Sequence, residues 1–217
     1  MDRRKHDLVT IYNSLFERFG PQHWWPGETP FEVIIGAILT QNTSWKNVEK
    51  AIASLKSSGN FSPKKLYDLP IDTLAGLIRS SGYFNIKAKR LKNFLSFLFD
   101  EYKGNLDDML KENVSLLRNK LLKVNGLGPE TVDSILLYAG EYPVFVVDAY
   151  TKRILIRHGL AAINSGYNEI QALFMDNVSK DTQLYNEYHA LIVRVGKDLC
   201  KKIPLCNLCP IEFDLQK

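Results

Sequence analysis

Three groups of residues in this chain have types and spacings that can do chemistry. Asp148 stands at the end of a short apolar run, 143–147, before Ala149-Tyr150-Thr151-Lys152. A carboxylate there can stabilise a developing positive centre and orient or deprotonate a water molecule. The same aspartate is also a good N-cap for the helix that follows, and the two roles are compatible, because the positive end of a helix keeps a carboxylate ionised. Gly126-Leu127-Gly128-Pro129 is a tight corner ahead of a helix, with Glu130 and Thr131 in its first turn. Both glycines can adopt positive φ and bare their N–H groups, and proline suits a first helical position. Free N–H groups at such a corner suit an anion such as a nucleic-acid phosphate. The third group is Cys200, Cys206 and Cys209, clustered near the C-terminus at a spacing unlike a secreted disulfide framework.

These residues need a helical frame. Leu116, Leu117, Lys120, Leu121 and Val124 follow helical spacing before the corner, and Val132, Ile135, Leu136 and Ala139 follow it afterwards. The pattern predicts an all-α chain, with helices over residues 7–19, 31–39, 62–68, 71–78, 87–102, 106–109 and 115–124. Another passes through Trp45, Val48, Ile52 and Leu55. After the corner, helices are expected at 129–139, 148–158, 168–177 and 182–199, with a break at Gly159. Residues 31–39 (FEVIIGAIL) are apolar nearly all round, so they should be a buried central helix. Residues 22–30 hold Trp24, Trp25 and Pro26 in a loop, which either plugs into the fold or forms an aromatic wall for a flat, π-rich ligand. His189, on the helix whose Tyr188, Leu191 and Ile192 face a core, could donate toward a site but reads first as a structural histidine.

The 217 residues carry a net charge of +4, which permits nucleic-acid binding without requiring it. No segment reads as a secretory leader or a membrane span, so the expectation is a cytoplasmic, nucleoid-associated prokaryotic monomer with no membrane partner.

The Leu-Gly corner, followed some twenty residues on by Val146-Val147-Asp148-Ala149-Tyr150, resembles the helix–hairpin–helix of the endonuclease III-like DNA glycosylases, the HhH-GPD superfamily. That resemblance implies a two-lobed helical fold. Residues 22–142 would form a central lobe including the hairpin motif at about 115–141. Residues 1–21 and 143–217 would form a second lobe. It also implies double-stranded DNA containing a damaged base as the partner. Gln41, in Leu39-Thr40-Gln41-Asn42-Thr43, matches the polar residue that enters the duplex gap left by an extruded base, with Asn42 and Trp45 beside it. Gln41-Asn42-Thr43-Ser44 also reads as an ordinary capped corner between helices. The segment Gly82-Tyr83-Phe84-Asn85-Ile86-Lys87-Ala88-Lys89-Arg90 is similar to the family's backbone-contacting segment, making Lys87, Lys89 and Arg90 candidate phosphate contacts beside Gly126, Gly128 and Thr131.

On the same resemblance Asp148 is the catalytic carboxylate. Members that also nick DNA carry a lysine where this chain has Glu130; that amine forms a Schiff base with the opened sugar. No lysine lies between Val124 and Lys152. The chain is therefore expected to be monofunctional, with Glu130 contacting the base or a water, or simply favouring the helix dipole. The motifs together are similar to 3-methyladenine DNA glycosylases of the endonuclease III-like branch. An N-alkylated purine is cationic, and stacking on Trp24, Trp25 or Trp45 would gain about 0.5–2 kcal/mol. The alternatives are oxidised pyrimidines, mismatched thymine, or a non-catalytic DNA-binding protein. The cysteine segment resembles a loop that holds a [4Fe–4S] cluster with four thiolates. Only three are present, leaving a cluster with a substitute ligand such as Asp214, a zinc site, or a loop without metal. None of these is needed for the chemistry.

Overall fold

The computed structural model describes residues 3–212. Among them every regular element is helical: α1 (Arg3–Phe19), α2 (Pro30–Leu39), α3 (Trp45–Ser57), α4 (Pro63–Asp68), α5 (Ile71–Leu77), α6 (Phe84–Tyr102), α7 (Leu106–Leu110), α8 (Val114–Leu121), α9 (Pro129–Ser134), α10 (Ala149–Arg157), α11 (Tyr167–Asn177) and α12 (Thr182–Asp198). No helix among the described residues is long and apolar enough to cross a membrane.

The chain divides into two compact units. The central unit is Pro26–Tyr142, and the terminal unit combines the residues up to Trp25 with those from Pro143 onward. The division falls at Trp25/Pro26 rather than at 21/22. In the terminal unit the backbone N–H of Gln22 donates to Glu187 Oε1 at 2.7 Å.

Helix α2 organises the central unit. Pro30 opens it, Thr29 caps it by accepting from the Glu32 N–H, and all residues from Phe31 to Leu39 are buried. It packs on α3, α6, α9 and a π turn at Ile135–Ala139. An apolar cylinder needs neighbours on all sides, and α2 has them. Helix α6 begins at Phe84 rather than 87, because Tyr83 in the left-handed region (φ 47°) starts it. After α9 the expected α-helix widens into the π turn. Gly140 N–H donates to Ile135 O, and a Cβ on Gly140 would meet the Tyr142 ring at 2.8 Å. The Tyr142 hydroxyl donates to the carbonyls of Leu110 and Glu112, fixing the chain where it leaves this unit.

In the terminal unit α1 packs on α11 and α12, and α10 packs on α12. Leu8, Ile11 and Leu15 are buried along one face of α1. Phe145, in the extended run before α10, stacks on Phe174 with centroids 3.7 Å apart and meets the edges of Tyr185 and Tyr188. The Tyr188 hydroxyl donates to Leu8 O.

The two helices of the hairpin motif are tied by a two-pronged ion pair. Arg118 Nε and Nη2 donate to Asp133 Oδ1 and Oδ2 at 2.6 and 2.9 Å, and the carboxylate is fully buried. Removing one partner leaves a largely buried charge uncompensated. Asp133→Ala should therefore cost about 3–5 kcal/mol of stability, read from urea unfolding. A loss below 1 kcal/mol would show that the pair does not hold α8 to α9.

Candidate active site

Asp148 is in the terminal unit, at the junction between the extended run and α10. Its backbone is extended (φ −107°, ψ −176°) and its side chain caps the helix. Oδ1 accepts from Thr151 N–H at 2.7 Å and from Thr151 Oγ1 at 2.8 Å. The side chain is 13% exposed, so it faces neither open solvent nor a sealed core. Oδ2 lies 3.8 Å from Nε2 of His189 on α12. Burial pushes the His189 imidazole below its ordinary pKa and Asp148 opposes that push. His189 is buried on α12 with the Asp148 carboxylate as its charged neighbour. A polar residue within the buried face Tyr185, Tyr188, His189, Ile192 calls for a polar partner.

Trp24 and Trp25 lie in the same unit as Asp148. They are half-buried, packed edge to face with centroids 5.3 Å apart, and their indole nitrogens are buried. Pro26 is exposed, and both it and half-buried Trp45 belong to the central unit.

The central unit brings several other candidates together. Gln41 Nε2 donates to Thr131 Oγ1 at 2.6 Å, tying the corner after α2 to the first turn of α9. Asn42 is exposed with φ 53°. Gly126 has φ +95°, and a Cβ there would come within 2.4 Å of Arg90 Cγ, so glycine is needed both for the turn and for the close approach of α6. Gly128 differs from expectation: it is extended (φ −90°, ψ 172°) and serves as the backbone N-cap of α9. Gly128, Pro129 and Glu130 are exposed, whereas Thr131 is buried.

Lys87 is the clear correction. It is 1% exposed, and its ammonium donates to Leu39 O at 2.8 Å and Ser81 O at 2.6 Å. A cation so placed closes the C-terminal end of α2 and is not available to a phosphate. Lys89, two residues on, is exposed.

The cysteines line one pocket of the terminal unit together with Arg157, His158 and Glu212. Arg157 Nη1 donates to Cys200 Sγ at 3.0 Å and to Lys201 O at 2.7 Å. Arg153 donates to Cys200 O and Gly196 O. Burial raises the Cys209 thiol. Among the described residues no group of His, Cys, Asp and Glu side chains is placed to hold a metal ion. A four-thiolate cluster does not fit three sulfurs, one of them already taken by a guanidinium. Asp214 lies outside the described residues.

Known proteins with related sequences and folds agree on one family. The HhH-GPD superfamily base excision DNA repair protein model matches residues 35–180. A protein of Methanocaldococcus jannaschii bearing the name "Putative DNA repair glycosylase" is 48% identical over 221 residues and covers 100% of both chains. The H. pylori 3-methyladenine DNA glycosylase bound to 1,N6-ethenoadenine matches with a TM-score of 0.76 and 28% identity, over 91% of this chain and 98% of that one. A trapped endonuclease III–DNA covalent intermediate matches with a TM-score of 0.84 and 22% identity, over 98% and 95%. At that identity the second structural likeness speaks for the fold.

The environment of Lys87 has a measurable consequence. Two carbonyls favour its ammonium, but burial, helped by Arg90, prevails and lowers its pKa from 10.5 to about 8. Between those values the unfolded chain holds a proton that the folded chain has released, so stability rises with pH across that window. Urea unfolding from pH 7.5 to 10 should show the rise in wild type and lack it in Lys87→Met; parallel profiles would overturn the assignment.

Proposed function

Because the chain belongs to the HhH-GPD superfamily of base excision DNA repair glycosylases, we propose that it is a monofunctional member acting on an alkylated purine such as 3-methyladenine. The observation that carries this reading is the placement of Asp148. One oxygen is committed to the α10 N-terminus, the other stands 3.8 Å from His189 Nε2, and the side chain as a whole keeps partial exposure. The two bonds from Thr151 and the α10 N-terminus fix where that carboxylate sits.

The reaction begins with eversion of the damaged nucleotide from the stack. The glycosidic C–N bond breaks with its electron pair leaving on the base, which departs neutral if it was a cationic N-alkylpurine. The sugar is left with an oxocarbenium-like centre at C1′, against which the Asp148 carboxylate stands as counter-charge. Water adds to C1′ and its proton passes through Asp148 to solvent. The product is an abasic site in an uncut strand. Glu130, exposed in the first turn of α9, has no amine with which to form a Schiff base. The alkylated-purine assignment draws on the likeness to the H. pylori 3-methyladenine glycosylase, and Trp24, Trp25 and Trp45 are the rings offered for stacking.

Exposed Lys89 and Asn42, the backbone of Gly126 and Gly128, and the Gln41–Thr131 pair are proposed to meet the DNA. Arg90 stands with them through its contact at Gly126.

Wild type incubated with methylated duplex DNA should release 3-methyladenine. Asp148→Asn should lose at least about 10²-fold in rate with DNA affinity intact. Borohydride should trap no protein–DNA adduct on abasic DNA. Undiminished release by the variant would overturn the role of Asp148, and a trapped adduct would overturn the monofunctional reading.

A further inference from the structure

The two oxygens of Asp148 have unequal surroundings. Oδ1 is held by the N–H and hydroxyl of Thr151, but two bonds to one oxygen leave the carboxylate plane free to turn. The terminal torsion of aspartate is broad and roughly two-fold, so a donor on the Oδ2 side can set it. His189 Nε2, at 3.8 Å from Oδ2, is on that side. The imidazole is itself walled in: it is 5% exposed and meets the Phe145 ring nearly perpendicularly, with centroids 6.5 Å apart. Phe145 is in turn stacked on Phe174.

We infer that His189 is the positioning residue of this site, its Nε2–H fixing the direction in which Asp148 Oδ2 presents its negative charge. The inference rests on the reading of Asp148 as the reacting carboxylate. A separation of 3.8 Å exceeds hydrogen-bond length, and catalytic hydrogen bonds often tighten only in the substrate complex. Burial pushes the imidazole below its ordinary pKa, toward the neutral ring, and Asp148 opposes that push. A neutral ring can donate without cancelling the charge it orients.

Glutamine and methionine at position 189 share a shape, but only glutamine can donate to Oδ2. Wild type, Asp148→Asn, His189→Met and His189→Gln are compared on duplexes carrying 3-methyladenine, dihydrothymine or thymine opposite guanine. The methionine variant should lose roughly 10- to 100-fold in kcat with KM unchanged, and the glutamine variant should recover most of that loss. Equal rates for the two variants, a loss confined to KM, or failure of both to fold overturns the inference. If Asp148→Asn is inactive while both position-189 variants match wild type, the inference fails alone. If Asp148→Asn retains full rate, or wild type is silent on every duplex, the functional reading fails and takes this inference with it.

Discussion

The bond between the Asp148 carboxylate and the first turn of α10 is the constraint on which the candidate site depends. A helix N-terminus needs an acceptor for its unsatisfied N–H groups, and glycosidic cleavage needs an anion held in place. Asp148 meets the first need by accepting from the N–H and hydroxyl of Thr151, and in the function proposed above the same side chain supplies the second. The far end of the same helix anchors the cysteine segment through Arg153 and Arg157. Helix α10 is thus a strut with the carboxylate at one tip and the cysteine loop at the other.

Cations in this chain have two separate uses. Lys87 and Lys92 are spent on carbonyl groups: Lys87 on Leu39 and Ser81, Lys92 on Leu66, Tyr67 and Leu69 at the end of α4. Arg118 is spent on Asp133, and Arg157 on the cysteine loop. Formal net charge therefore overstates what a phosphate can meet. The positive groups left at the surface include Lys89, Lys201 and Lys202.

Much of the frame was legible because apolar periodicity reports burial directly. Residues 31–39 read as an all-round apolar helix, and α2 is buried along its length. Asp148 was legible as a cap because the residue type and the following sequence specify one. The π turn was not, since Ile135, Leu136 and Ala139 fit a period of 3.6 until Gly140 and Tyr142 close a wider ring. Lys87 was misread from its company of exposed charges, although its helical phase, in register with Leu91, Phe94 and Leu98, placed it on the apolar stripe. The Gln41–Thr131 bond joins residues 90 positions apart, and no local pattern announces such a pairing.

The arrangement of the two units bears on how the chain is made. The central unit is one continuous stretch, so a ribosome delivers it whole before the terminal unit can assemble. The first helix cannot be buried at birth: its Leu8 carbonyl waits for the hydroxyl of Tyr188, 180 residues later. Until α11 and α12 emerge, the apolar side of α1, with Leu8, Ile11 and Leu15, has no partner helix to cover it on the nascent chain. Non-local closure of this kind also slows refolding relative to the local contacts inside the central unit.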